Sequence, residues 1–355
     1  MPRNKGNDWR HILIARFSAL GDIAMTLPGV YNVCRAYPDR NFYFLTRKHP
    51  AALFVNAPEN LTVIGIDTAD YKGPTGMWRL VSEFSKKYGI DFFIDLHDVL
   101  RTQLMRLFFG LRGVGTEKID KGRREKARLT RRKNKTLVQL KPTVERYDDV
   151  FRAAGLDAPD TFRSVFGAGK GDPADFATVT APKAPGEHWL AVAPFAKHPG
   201  KIYPLDQLEK VIEEFNSLPD RKIFMFGFGK EEEAAIDEMA RKYPAVVNMA
   251  SARLGIAGEL SLLSHCDVML SMDSFNMHLA SLVGLRTVSV WGATHPYTGF
   301  LGRGQREEDA VQLDMTCRPC SVFGDKPCFR GDLHCMRGIS PRTIVQRLRT
   351  PSDKP

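Results

Sequence analysis

The segment Asp267-Val-Met-Leu-Ser-Met-Asp273-Ser274-Phe-Asn-Met-His278 concentrates more chemistry than any other stretch of this 355-residue chain. A short apolar strand, Val268 to Met272, ends in Asp-Ser and turns straight into a helix with His278 on its first turn. Helix N-termini carry unpaired N–H groups and the positive end of the dipole, so they collect phosphates. In open α/β sheets, ligands sit where strands deliver their carboxyl ends into helices. Asp273, Ser274 and His278 are therefore placed to hold an anionic nucleotide or sugar phosphate. The plainer alternative is that Ser274 caps the helix and His278 packs on the surface. A second strand–loop–helix unit reads Ile12-Leu-Ile-Ala-Arg16-Phe-Ser18-Ala-Leu-Gly21-Asp22. Asp22 at the helix start stays ionised and is suited to take a proton from an attacking hydroxyl; an ordinary helix cap is the competing use of such a residue. Neither this loop, with its one glycine, nor Gly227-Phe-Gly229-Lys-Glu-Glu232 forms a G-x-G-x-x-G fingerprint. That argues against a dinucleotide-dependent dehydrogenase.

These residues need elements to position them, and the hydrophobic pattern supplies two α/β series. In the first half, His11 to Arg16, Asn41 to Thr46, Thr62 to Ile66 and Asp91 to Leu96 read as strands. Helices from Gly21 to Tyr37, Gly76 to Tyr88 and Lys141 to Ala154 alternate with or follow them. Such alternation implies a parallel sheet with right-handed crossovers. Gly167 to Glu187, rich in Gly, Ala, Pro and Lys, lacks periodicity and reads as a linker. Beyond it, strands at Trp189 to Ala193, Lys222 to Phe226, Ala245 to Met249, Val268 to Met272 and Thr287 to Trp291 alternate with helices at Leu205 to Phe215, Glu231 to Lys242 and Ala257 to Ser264. The expectation is two α/β domains, residues 1–170 and 185–355, with a ligand cleft between the carboxyl ends of their sheets.

The length suffices for two ordinary cores, and the composition is that of a soluble globular protein. No run of about 18 apolar residues could span a bilayer, and the polar stretch from Met1 to Arg10 does not read as a secretory signal. A cytoplasmic location is the expectation. The net charge of +10 is localised: Lys118 to Lys135 holds ten Lys or Arg against Asp120 and Glu125. Such a run is either a patch for an anionic partner or a solvated loop that orders on its ligand. It lacks the interleaved aromatics of base-stacking surfaces, so a nucleic-acid partner is not expected. In the tail, Cys317-Arg-Pro-Cys320 is followed by Cys328 and Cys335. These four are either a structural zinc site or reduced thiols in a packed tail, the wide second pair counting against zinc. Cys34 and Cys266 read as core residues.

Three segments in register, Ser18-Ala-Leu-Gly21-Asp22, Lys201-Ile-Tyr-Pro204 and Asp273-Ser-x-x-x-His278-Leu-Ala, resemble the hallmarks of family 9 glycosyltransferases, the lipopolysaccharide heptosyltransferases. The resemblance runs in order over nearly the whole chain and includes Val144-Glu-Arg146. It implies a GT-B fold, inversion at the anomeric carbon and no catalytic metal, in keeping with a chain that contains no Asp-x-Asp pair. By the resemblance, Asp22 is the catalytic base and Lys201 neutralises the departing diphosphate. Asp273, Ser274 and His278 hold the donor, with Phe275 standing where glycine is usual. Glu231 and Leu254 fall where the family meets ribose and base. Ala196-Lys197 replaces the Thr-Thr of many members, leaving Lys197 as a point charge on the phosphates. Ser18, Arg101, Arg124 and Arg146 match acceptor-side positions. The implied reaction moves heptose from ADP-heptose to an anionic glycolipid at the inner face of the cytoplasmic membrane, catalysed by a peripheral, monomeric enzyme. A different nucleotide sugar on the same scaffold, a basic nucleic-acid-binding protein and a non-catalytic sugar-nucleotide sensor are the alternatives.

Overall fold

The computed structural model describes residues 9–349, so most of the polar N-terminal stretch lies outside the described residues. The chain divides into two compact units, one comprising residues 1–121 and 143–165, the other 122–142 and 166–355. The basic run is thus split, and most of it belongs to the second unit.

The first unit is a five-stranded parallel sheet. Its strands are β1 (His11–Ala15), β2 (Asn41–Arg47), β3 (Leu61–Ile66), β4 (Phe92–Asp95) and β5 (Gly115–Lys118), in the order β3-β2-β1-β4-β5. Helices α1 (Leu20–Ala36), α2 (Lys48–Ala51), α3 (Gly73–Tyr88) and α4 (Leu100–Gly110) join them in chain order. Central strands of a parallel sheet are covered on both faces and so read as unbroken apolar runs. Ile12, Leu13, Ile14 and Ala15 are accordingly all fully buried. Leu80, Val81, Phe84, Met105 and Phe109 of α3 and α4 close one face together with Leu13, Leu45 and Phe93.

The second unit opens with α5 (Arg123–Leu129), a helix inside the basic run, and the first unit closes with α6 (Thr143–Ala153). The second sheet contains β6 (His188–Ala193), β7 (Arg221–Met225), β8 (Val246–Asn248), β9 (Val268–Met272), β10 (Thr287–Trp291) and β11 (Ala310–Gln312). All are parallel, in the order β11-β10-β9-β6-β7-β8. Helices α7 (Leu205–Asn216), α8 (Lys230–Lys242), α9 (Met249–Ala252), α10 (Gly255–Leu263), α11 (Phe275–Leu282), α12 (His334–Arg337) and α13 (Pro341–Arg349) complete it. The aperiodic stretch from Gly167 to Glu187 is more than a tether. Phe176 is fully buried and meets the rings of Trp189 and His265 edge-on at 6.1 and 5.3 Å. Among the described residues, no helix is long and apolar enough to cross a membrane.

Each sheet has one point where the chain reverses its direction of strand addition, between β1 and β4 in the first unit and between β6 and β9 in the second. Crossovers on either side of such a point leave to opposite faces, opening a crevice at the carboxyl ends of the two strands.

Candidate active site

In the first unit, the loops leaving β1 and β4 meet at this crevice. Asp22 on the first turn of α1 accepts a hydrogen bond on Oδ2 from Ala19 N (3.2 Å) and pairs with Arg16 NH2 at 3.0 Å. Asp22 thus both caps α1 and carries an ion pair in the crevice. Arg16, at the end of β1, is buried and also donates to Leu96 O. A buried guanidinium bonded this way fixes the direction of the carboxylate. From the β4 side comes His97, whose Nε2 lies 3.2 Å from Ser18 Oγ. Its own backbone N–H donates to Asp95 Oδ1 at 2.9 Å. Burial, with help from the nearby charges of Arg16 and Lys121, pushes the His97 pKa down to about 3. His97 is thus a neutral imidazole at any working pH. Arg106 pairs with both Asp95 (3.5 Å) and Asp98 (3.2 Å), completing a network beneath the loop.

The acceptor-side arginines separate. Arg101 stands half-buried at the start of α4, its guanidinium 5.7 Å from the Phe17 ring centroid; burial and the charge of Arg47 lower its pKa. It adjoins Ser18 through Phe17. Arg146 is buried, and its NH1 donates to Asp120 O at 3.2 Å, so it braces the first unit from within. Arg124 is exposed on α5 and belongs to the second unit. The linear sequence did not separate these three roles, because an arginine's stem packs as readily as its head binds.

In the second unit the loops leaving β6, β9 and β10, three neighbouring strands, converge. Lys201 Nζ lies 3.2 Å from Asp273 Oδ2, and Thr294 Oγ1 donates to the same oxygen at 2.8 Å. Both members of the pair are largely buried. Ser274 is the N-cap of α11, yet its side chain makes no capping hydrogen bond; its Oγ instead lies 3.4 Å from Ser271 Oγ. His278 is buried on α11, which removes the surface-residue alternative. Lys197 is exposed in the loop after β6, Glu231 is exposed in the first turn of α8, and Leu254 is half-buried at the N-cap of α10. All of these lie on loops or helix starts following the carboxyl ends of strands in the second unit.

The cysteine-rich tail backs this site. Ala293 N donates to Gly200 O at 2.9 Å and Cys320 N donates to Ala293 O at 2.8 Å, a ladder joining the lysine loop, the β10 loop and the tail. The approach is close: a Cβ at Gly200 would stand 2.7 Å from Ala293 Cβ. The stem of Lys201 passes over Gly324, at φ +78, where an added Cβ would lie 2.6 Å from its Cδ. Arg318, buried between Cys317 and Cys320, donates to the carbonyls of Trp291 (3.0 Å), Gly292 (2.5 Å), Thr294 (2.9 Å) and Leu313, and to Gln312 Oε1 (2.9 Å). Five dipoles thus solvate one buried cation, and the loop carrying Thr294 is held in place. Burial lowers the Arg318 pKa to about 10.

All six cysteines are free thiols. Among the described residues no group of three or more His, Cys, Asp or Glu is arranged to hold a metal ion. In the Cys-Arg-Pro-Cys turn, Cys320 Sγ donates to Cys317 O at 3.3 Å. The basic run is likewise turned inward in part. Lys135 Nζ donates to Cys317 O (2.7 Å) and Pro319 O (2.9 Å), Lys126 lies 4.4 Å from the Phe300 ring centroid and Arg132 lies 4.7 Å from that of Phe329. These contacts use the charge to anchor the tail, which weakens the nucleic-acid alternative.

The family model of glycosyltransferase family 9 (heptosyltransferase) matches residues 78–326. Lipopolysaccharide heptosyltransferase 1 of Pseudomonas aeruginosa is 26% identical over 324 residues, spanning 87% of this chain and 85% of that protein. Among solved structures, E. coli heptosyltransferase WaaC with ADP aligns with a TM-score of 0.65 at 18% identity, covering 95% of this chain and 98% of that one. A family 9 glycosyl transferase from Veillonella parvula aligns at 0.73 and 15% identity, covering 97% of each chain. At these identities the structural likeness speaks to the fold, which is the GT-B fold of two Rossmann-like units.

Proposed function

Since the chain belongs to glycosyltransferase family 9, the heptosyltransferase family, we propose that it transfers heptose from ADP-heptose, with inversion, onto the core of an anionic glycolipid at the cytoplasmic face of the inner membrane. The curated relative is named for lipopolysaccharide heptosyl transfer, and WaaC has been solved with ADP and with ADP-2-deoxy-2-fluoro heptose. One observation carries the reading most: Lys201 and Asp273 paired at 3.2 Å where the chain reverses in the second sheet. A largely buried ammonium at the carboxyl ends of parallel strands, beside the α11 N-terminus, is what a departing diphosphate requires.

In this proposal the second unit binds the donor and the first unit binds the acceptor. The acceptor hydroxyl attacks the anomeric carbon in line; the new C–O bond forms as the bond to the diphosphate breaks. Asp22 takes the hydroxyl proton, and Arg16 keeps its carboxylate aimed. Ser18, oriented by the neutral His97, supplies a hydrogen bond to the acceptor sugar. Lys201 meets the charge growing on the leaving ADP, a role a divalent ion fills elsewhere, so the reaction runs without a catalytic metal. Glu231 and Leu254 address ribose and base, and Lys197 reaches the phosphates. The enzyme acts as a monomer.

Incubation with ADP-heptose and a heptose-deficient glycolipid acceptor, in EDTA, tests this. A mass gain of one heptose with stoichiometric ADP release is expected. Absence of product with ADP-heptose, alongside turnover of another nucleotide sugar, would favour the same scaffold with a different donor.

A further inference from the structure

The first unit exposes an apolar ridge that its core does not use. Helix α4 is Leu-Arg-Thr-Gln-Leu-Met-Arg-Leu-Phe-Phe-Gly, and its inner face is satisfied by buried Thr102, Met105 and Phe109. Yet Leu100, Leu107 and Leu111, spaced to share one outer face with half-buried Leu104, remain 74%, 54% and 69% exposed. Exposed Trp78 of α3 extends the ridge sideways, its ring edge-on to Phe108 at 5.3 Å. A contiguous patch of this kind on a soluble protein marks a contact surface.

Two features identify what it contacts. The surroundings are cationic: α4 carries no acidic residue, Arg112 stacks on Trp78 with its guanidinium 3.8 Å from a Trp78 ring centroid, and exposed Lys72, Arg79, Lys86 and Lys87 belong to or adjoin α3. The acid within α3, Glu83, is paired with Arg79 at 3.6 Å. Apolar side chains bordered by Lys and Arg suit the interface of an anionic bilayer, where leucines enter the acyl boundary and the cations meet phosphate headgroups. The ridge also begins at the site: Leu100 neighbours Arg101, which lies over Phe17 beside Ser18. A lipid whose tails stay in the membrane along α4 would present its head group toward Ser18 and Asp22.

We propose that the outer face of α4, with Trp78, is the surface by which this enzyme docks on an anionic membrane, orienting the first unit's crevice toward a lipid-anchored acceptor. The second part rests on the glycosyl-transfer reading; the docking itself does not.

The test uses the full chain and vesicles of phosphatidylethanolamine with about one quarter phosphatidylglycerol, without donor or acceptor. Wild-type protein should co-sediment with these vesicles, bind phosphatidylcholine vesicles at least ~tenfold more weakly, and show a blue shift of tryptophan emission that is lost in Trp78→Phe. Leu107→Glu with Leu111→Glu replaces two exposed side chains, so folding should be retained, as checked by an unchanged melting temperature. That variant should lose vesicle affinity at least ~tenfold while keeping wild-type transfer to a water-soluble, deacylated acceptor. Vesicle binding within twofold of wild type, or equal binding to neutral vesicles, overturns the proposal. A wild-type dimer in sedimentation velocity that the double variant dissociates also overturns it, since the ridge would then cover a second copy. Because binding is read without turnover, failure of the docking proposal and failure of the catalytic reading give separate results.

Discussion

Replacing Lys201 by Met keeps most of its stem over Gly324 and removes only the charge, so it isolates what the ammonium does. In the structure that charge sits 3.2 Å from a carboxylate oxygen, and a diphosphate oxygen would take a similar distance. Two unit charges that close interact by about 1 kcal/mol in bulk water and about 5 kcal/mol at an effective dielectric of 20. Lys201 is largely buried, which favours the upper part of that range. The ground-state diphosphate is already anionic, however, and only the charge gained as the glycosidic bond breaks counts toward turnover. A transition-state loss of about 2–4 kcal/mol follows, or roughly 30- to 1,000-fold in kcat. ADP affinity should fall far less, because the other groups proposed to hold the donor (Ser274, the α11 N-terminus and Lys197) remain. The assay pairs steady-state transfer kinetics with calorimetric titration of ADP. An unchanged kcat with a raised KM would refute the reasoning and make Lys201 a simple binding residue. Restoration of the variant by magnesium would contradict the metal-independent mechanism.

Three further outcomes follow from the geometry. His97 is held neutral, with its folded pKa about 3 against an ordinary value of 6.5, so the folded state binds fewer protons than the unfolded one. Its contribution is complete above about pH 6.5 and shrinks as pH falls toward 3; urea melts should show His97→Gln losing about 2 kcal/mol less stability than wild type between pH 7 and pH 5, and parallel acid limbs would refute this. Lys135→Met removes two charge-assisted hydrogen bonds to the Cys317 and Pro319 carbonyls and should cost ~2 kcal/mol of second-unit stability, with ADP binding weakened as the tail loosens; a melting curve equal to wild type would show that the run does not anchor the tail. Among the tail thiols, backbone N–H groups from Arg330, Gly331 and Leu333 outweigh burial and lower the Cys328 pKa, whereas burial raises those of Cys320 and Cys335, the latter to about 11. Limited alkylation at neutral pH followed by peptide mapping should find Cys328 modified before the other two; equal protection of all four, lost on chelation, would instead reveal a metal.

The sequence revealed those parts of the fold that strand-to-helix transitions announce. Asp273 directly follows the apolar strand β9, and Asp22 lies in the first turn of the helix that follows β1, the positions the strand-to-helix pattern indicates. The long-range bonds around them were not legible, because Arg16–Leu96 and Asp273–Thr294 join loops of strands that neighbour only after the sheet is built. His97 gave no local signal, following Asp-Leu in an ordinary strand end. Helix α4 escaped notice because Val99 precedes it without a capping side chain and no acid marks its first turn. The basic run read as an exposed patch since charge pattern carries no information about long-range acceptors; the carbonyls that Lys135 satisfies are more than 180 positions away. In the tail, the cysteine spacing leaves structural zinc and packed thiols both open. Cysteine spacing is visible, but the guanidinium of Arg318, which occupies the centre of that turn, gains its role only from the carbonyls of the β10 loop.

In the proposed mechanism Asp22, held by Arg16, is the base for glycosyl transfer from a donor bound elsewhere on the chain. The most direct measurement is the single-turnover rate of Asp22→Asn at saturating ADP-heptose and glycolipid acceptor, with ADP affinity titrated in parallel. Loss of a general base predicts a fall of ~10²–10⁴-fold in the transfer rate with ADP affinity within about twofold of wild type. A variant that keeps more than about a tenth of the wild-type rate would remove Asp22 from the proton transfer and contradict the account.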